Sequence, residues 1–201
     1  MPKTVDYYFT PSSPWAYLGH QRFVDIAKRH GAHVNVKPVD LGGKIFPVSG
    51  GLPLAKRAPQ RQAYRLVELK RFSEYLGQPI HLQPNFFPVS ADDAAKLIIA
   101  VDLNEGTDAA MALTGRILRG VWVEQKNIAD ARDLAAMLVD QGLPARRLDD
   151  AMSQAVHERY EADSQRAIAA GVFGAPSYVI DGEIFWGQDR LEFVQRRLAA
   201  G

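Results

Sequence analysis

Phe9-Thr10-Pro11-Ser12-Ser13-Pro14-Trp15 links a strand-like run, Val5-Asp6-Tyr7-Tyr8-Phe9, to a helix-like run from Trp15 to His30. A strand that turns straight into a helix brings the turn's side chains and the helix's first free N–H groups to one spot, a natural place for an anion. Ser13 is placed to cap that helix, with Pro14 at the first helical position, where its missing N–H removes nothing. A Ser-Pro pair is also a common helix start with no chemistry attached. What sets this turn apart is an absence. Redox enzymes with a Cys-x-x-Cys at such a turn use the helix N-terminus to lower a thiol pKa, and this chain has no cysteine. It cannot run thiol–disulfide exchange itself, so a thiolate handled there must arrive with a ligand. The Ser13 hydroxyl is placed to donate a hydrogen bond to such a sulfur and favour its ionised form.

Outward from this stretch, Gly31 is a plausible helix stop, and His33-Val34-Asn35-Val36-Lys37-Pro38-Val39 alternates as a second strand. The resulting βαβ unit is expected to be right-handed with parallel strands, leaving the first helix's N-terminus at the carboxyl edge of the sheet. Residues 40–60, rich in Gly and Pro, read as a long loop. Its cations Lys44, Lys56 and Arg57 are either placed to meet a carboxylate or simply solvated. Apolar spacing predicts a helix from Arg61 to Gly77; after a Pro-containing loop, Ser90-Ala91-Asp92-Asp93 opens another as a capping-box variant. Further helical patterns cover 107–123, 129–141 and 145–171, with no strand pattern among them. The end returns to β: Ser177-Tyr178-Val179-Ile180, a turn at Asp181-Gly182, then Glu183-Ile184-Phe185-Trp186, a hairpin signature. A last helix, Asp189 to Ala200, has Asp189 as its expected N-cap.

Composition narrows the function. With 24 Lys+Arg against 23 Asp+Glu the net charge is +1, and no block of like charge tracks a phosphate backbone or a membrane surface, so nucleic acid and membrane are not expected partners. No stretch approaches a bilayer span, and the N-terminus lacks the layout of a signal peptide. Zero cysteines is in keeping with a cytoplasmic protein. His20, His30, His33, His81 and His157 show no metal-ligand spacing, so no metal is expected and each histidine reads as surface or packing.

The strand, the Ser-Pro-Trp-x-Tyr-Leu helix opening, Gly174-Ala175-Pro176-Ser177 and Trp186-Gly187-Gln188-Asp189-Arg190-Leu191 together resemble 2-hydroxychromene-2-carboxylate isomerases, of the kappa-class glutathione transferase branch of the DsbA-like thioredoxin superfamily. The resemblance runs essentially end to end. It implies an α/β, thioredoxin-like fold (βαβ…ββα) interrupted by an all-helical insertion: residues 1–60 and 172–201 as a discontinuous thioredoxin-like domain, and 61–171 as the insertion. It also implies a cis bond before Pro176, and a glutathione site in which the Ala175 backbone pairs with the cysteinyl backbone of glutathione. Trp186, Gly187, Gln188 and Asp189 would flank the γ-glutamyl end, Asp189 facing its ammonium group. Gln188 stands where the isomerases commonly show Asn.

For the second substrate the resemblance points to Lys44, to Ala55 and Lys56, and to Phe86. The naphthalene-pathway isomerase has Asn-Arg where this chain has Ala55-Lys56 or Lys56-Arg57, and a tyrosine hydroxyl where Phe86 has none, a difference able to change substrate preference. The implied activity is isomerisation of 2-hydroxychromene-2-carboxylate to trans-o-hydroxybenzylidenepyruvate, in aromatic hydrocarbon catabolism. The glutathione sulfur would lie near Ser13 and Lys44 would hold the substrate carboxylate, in a homodimeric enzyme. Two other readings remain: a kappa-like glutathione transferase or peroxidase acting on other electrophiles, and a non-catalytic thioredoxin-fold binding module with Ser13 as a relic cap.

Overall fold

The computed structural model describes residues 2–200. β1 (Thr4–Phe9) leads through the Thr10–Ser13 turn into α1 (Pro14–Arg29), and β2 (His33–Pro38) returns parallel to β1 in the register Tyr7↔Val36. Ser13 caps α1 as expected: the Ala16 N–H donates to its Oγ at 3.1 Å. β3 (Ser177–Ile180) pairs antiparallel with β1, and β4 (Glu183–Trp186) closes the hairpin on β3, giving the sheet order β2-β1-β3-β4. The Asp181-Gly182 turn has both residues at positive φ, the conformation that an Asp-Gly hairpin favours.

Between β2 and β3 lie α2 (Phe46–Ser49), α3 (Pro59–Leu76), α4 (Asp92–Glu105), α5 (Thr107–Trp122), α6 (Ala131–Asp140), α7 (Arg147–Asp150) and α8 (Gln154–Ala169). α9 (Leu191–Ala199) ends the chain's described elements. β1 is buried on both faces, which is why its apolar residues do not alternate. Val5, Tyr7 and Phe9 join one continuous core with α1, α4 and α5, while Tyr8 packs on the other side with Val39, Ile45, Ala167, Val172 and Val179. On the first face Tyr7 stacks on Tyr178 across the strands at 5.3 Å, and Phe23 of α1 packs against both rings.

Several local expectations are corrected. The 40–60 stretch is not a plain loop: Leu41–Ile45 forms a π-helical turn, followed by α2 and by a 3-10 turn at Leu54–Lys56. Asp40 starts it, its carboxylate accepting from the Gly43 N–H at 2.7 Å. The pattern over 145–171 is two helices, because Ser153 interrupts it and caps α8, accepting from the Val156 N–H at 3.4 Å. Ser90 does not form a capping box; its hydroxyl accepts from Asp92 N at 3.3 Å, one position early, and α4 begins at Asp92 without a side-chain cap. Nor does Asp189 cap the last helix. The chain enters it through a 3-10 turn, Gln188–Arg190, and the Asp189 carboxylate turns outward to accept from Arg190 at 2.9 Å.

His20 is a packing residue, as read, but an informative one. It is buried between the Tyr7 hydroxyl (3.3 Å from Nδ1) and the Met111 carbonyl (2.9 Å from Nε2), tying α1 to β1 and α5. Burial pushes its pKa down from 6.5 to about 4, outweighing the Met111 carbonyl, which favours the charged form, so the ring is neutral at pH 7. A folded pKa below the unfolded one means that stability is full above pH 6.5 and is lost as pH falls toward 4. Unfolding free energy is expected to drop by about 2 kcal/mol between pH 7.5 and 5 through this group. Denaturant melts at both pH values, on wild type and His20→Gln, measure it: the variant should lose markedly less, and an equal loss in both would remove His20 as the cause.

Candidate active site

Because β1, β2 and β4 run the same way and β3 runs opposite, the carboxyl ends of β1, β2 and β4 and the amino end of β3 share one sheet edge. The turn at Thr10–Ser13 leaves β1 there, Val39 leaves β2, and the Val39 N–H donates to the Phe9 carbonyl at 2.9 Å. Gly174-Ala175-Pro176 enters β3 there, and Gly187 leaves β4, its N–H donating to the Pro176 carbonyl at 2.9 Å. The topology therefore gathers Ser13 from the start of the chain with Ala175, Pro176, Trp186, Gly187, Gln188 and Asp189 from its C-terminal hairpin. The Ala175–Pro176 bond is cis.

Two sets of groups at this edge are left open. Ser13 is 7% exposed; its Oγ accepts from Ala16, and its own O–H has no acceptor among the described residues. The Ala175 backbone N–H and carbonyl likewise make no hydrogen bond among the described residues. A hydroxyl donor at the positive end of a helix suits an anionic sulfur, and an unpaired stretch of backbone suits an extended peptide-like ligand. These residues fit glutathione, a short peptide that carries a thiol.

Trp186 is 51% exposed and packs edge-on against Phe173 at 4.8 Å, an aromatic wall beside the Gly174 turn. A Cβ at Gly174 would run into the Trp186 indole, so any larger residue there would have to displace that ring. Gln188 is not a surface group: it is 2% exposed, and Arg22 of α1 donates to its Oε1 at 2.7 Å and to its carbonyl at 3.3 Å. Sequence reading missed Arg22, Phe173 and Gly174's constraint. Only the aromatic spacing of Phe173 and Trp186 around the Gly-Ala-Pro turn offered a signal for any of them.

The residues expected around a second substrate are more dispersed. Lys44, on the π turn after β2, sits 2.5 Å from the Glu161 carboxylate on α8. That hydrogen bond holds the Glu161 carboxyl below its ordinary range. Ala55 and Lys56 are exposed on the 3-10 turn before α3, and Phe86 is 45% exposed in the α3–α4 connection. α3 itself reaches the Ser13 turn: Phe72 meets Trp15 edge-on at 5.9 Å, and the Tyr17 hydroxyl donates to the Pro79 carbonyl at 2.7 Å. Among the described residues no three His, Cys, Asp or Glu side chains are grouped to hold a metal ion, and no helix is long and apolar enough to cross a membrane.

Comparison with known proteins adds an independent line. Residues 4–199 match the family model described as DSBA-like thioredoxin domain. A 2-hydroxychromene-2-carboxylate isomerase of Sphingobium xenophagum is 29% identical over 199 residues, 98% of this chain and 99% of that protein. One of the same description from Pseudomonas putida is 27% identical over 190 residues, 93% of this chain and 90% of the relative. A solved 2-hydroxychromene-2-carboxylate isomerase, in selenomethionine form, superposes with a TM-score of 0.79 at 25% identity, covering 98% of this chain and 94% of that one.

Proposed function

This chain belongs to the DSBA-like thioredoxin domain family, and from that premise we propose that it is a glutathione-dependent isomerase that converts 2-hydroxychromene-2-carboxylate to trans-o-hydroxybenzylidenepyruvate. The observation that carries the reading is Ser13: a hydroxyl with a free proton at the N-terminus of α1, in a chain without cysteine, on the same edge as the unpaired Ala175 backbone. The relatives of that name, matched over nearly their whole length, support it.

Glutathione would supply a thiolate nucleophile for reversible addition to the unsaturated oxo acid. The chain's own residues prepare that chemistry. The Ser13 O–H and the first turn of α1 favour the ionised sulfur by a charge-assisted hydrogen bond and by the helix dipole. The backbone of Ala175 extends the sheet edge to the peptide. Asp189, its carboxylate at the solvent side, takes the ammonium group of the γ-glutamyl end. Gln188 acts from inside, fixing the Gly187–Asp189 turn against α1 through Arg22. Trp186 and Phe173 wall off one side of the site.

Calorimetric titration with reduced glutathione tests this. Wild type is expected to bind saturably, and Asp189→Ala about tenfold more weakly, as for loss of one exposed charge-assisted contact. The isomerisation of 2-hydroxychromene-2-carboxylate should then require glutathione. No binding up to about 10 mM, less than roughly 3 kcal/mol of affinity, would overturn the reading.

A further inference from the structure

The start of α3 carries a cluster of cations without anions. Lys56 and Arg57 precede the helix, and Arg61 and Arg65 lie on its first two turns. Among the described residues none of the four has a carboxylate within ion-pair distance; the nearby acid, Glu68, is taken by Arg71 at 2.7 Å. Arg57 spends its Nε on the Leu52 carbonyl at 2.8 Å.

Arg65 differs from the others in where it points. Its guanidinium lies 5.2 Å from the Phe87 ring centre and 5.7 Å from that of Trp122, two rings packed 4.8 Å apart. Its Nη2 is shielded from solvent and has no hydrogen-bond acceptor, and the same is true of Nε1 of the fully buried Trp122. Burial and the neighbouring Arg57 push the Arg65 pKa down to about 10, so it is still a cation at neutral pH. A desolvated cation resting on aromatic faces recovers part of its hydration, but two shielded N–H donors without acceptors remain unfavourable. What an incoming ligand can meet is the open side of the half-buried Arg65, a cation with no carboxylate partner among the described residues, beside the exposed Phe86; an anion with a flat apolar body suits that pairing, its carboxylate on the guanidinium and its ring on the aromatic side chain.

We propose that Arg65, supported by Arg57, binds the carboxylate of an aromatic 2-oxo acid. This assignment rests on the isomerase reading for the identity of that acid. Lys44 is the less suited cation because Glu161 already neutralises it at 2.5 Å. The location agrees. Phe72, seven residues after Arg65 and so on the same face of α3, packs on Trp15 beside Ser13. Arg65 is therefore about 10 Å along the helix from the residue that touches the sulfur-binding turn, a reach suited to an extended arylidene acid.

The test is titration of the full chain, followed by tryptophan fluorescence, with benzylidenepyruvate and with the uncharged analogue benzylideneacetone. Wild type, Arg65→Met and Lys44→Met are compared, each also titrated with glutathione. Arg65→Met is expected to bind the oxo acid at least tenfold more weakly, Lys44→Met within twofold of wild type, with the ketone and glutathione unaffected in both. Oxo-acid binding within twofold of wild type in Arg65→Met, or an equal loss for the ketone, would reduce Arg65 to a packing residue and overturn the assignment. Should Arg65→Met fail to fold by circular dichroism, Arg65→Lys and the more accessible Arg57→Met carry the test: each should weaken the oxo acid at least threefold and leave the ketone alone, and no change in either overturns the assignment. Wild type that binds the oxo acid but not glutathione would keep the Arg65 site and remove the isomerase reading. Wild type that binds glutathione but no oxo acid up to millimolar concentration would do the reverse.

Discussion

Ser13→Ala is expected to slow glutathione-dependent isomerisation about tenfold at pH 7 and to move the pH dependence of kcat to the alkaline side by one to two units. The size follows from ionisation. A hydrogen bond donated to a charged acceptor contributes about 1.5–3 kcal/mol, which is one to two pKa units at about 1.4 kcal/mol each. A thiol with an ordinary pKa near 8.5 is only about 3% ionised at pH 7, whereas one held near 7 by the Ser13 proton and the helix terminus is about half ionised. The ratio caps the population effect at roughly twentyfold. The sign is set by the same argument: the defect should shrink as pH rises past the shifted value, because high pH then makes the thiolate that Ser13 otherwise stabilises. Losing the cap also removes the acceptor of the Ala16 N–H, at about 1 kcal/mol of stability, or a few degrees in Tm for a chain of this size. Ser13→Thr keeps both a cap and a donor and should retain most activity. A pH–rate profile for Ser13→Ala that overlays wild type would leave Ser13 as a helix cap and nothing more.

How much of this was readable beforehand depended on whether the cause was local. The β1–turn–α1 unit, the Asp181-Gly182 hairpin and the Ser13 cap are each decided within a few residues, by alternation, by φ > 0 turn chemistry and by an oxygen three positions from its N–H, and all three stand in the structure. The failures share a different origin. Asp40 organises a helical turn out of a Gly-rich stretch because its carboxylate finds the Gly43 N–H, and Ser153 breaks a periodic run because a cap outweighs propensity there. Gln188 and Asp189 looked alike as polar residues after a strand, yet one is interior and the other exposed, and the difference is Arg22, 166 positions away. Lys44 met its partner Glu161 only across the fold. Arg65 was hidden for the opposite reason: Glu68, three residues on, lies within pairing reach along the helix, and Arg71 holds that acid instead.

Gly19→Val is expected to lower the unfolding free energy by about 3 kcal/mol, the upper part of the range for overpacking a filled contact, and Tm by about 6–12 °C. Gly19 lies on α1 where the helix meets the Gln188–Arg190 turn. A Cβ there would sit 2.8 Å from the Gln188 Cβ, 3.3 Å from its Cα and 3.2 Å from the Tyr178 hydroxyl. None of these neighbours can step aside easily: Gln188 is anchored by Arg22, and Tyr178 is stacked on Tyr7 and packed by Phe23. Gly19→Ala is the informative control, because in a helix interior Ala gains about 1 kcal/mol over Gly, which offsets much of the clash and should leave a shift of no more than a few degrees. The functional consequence separates position from chemistry. Pushing the turn away from α1 displaces Asp189 but not Ser13, so Gly19→Val, assayed well below its Tm, should raise the glutathione KM several-fold while kcat at saturating glutathione stays within about threefold of wild type. A variant with lowered Tm and unchanged KM would show that the turn's seat on α1 contributes stability alone, and would leave the placement of Asp189 to the β4 hairpin rather than to the Arg22–Gln188 contact.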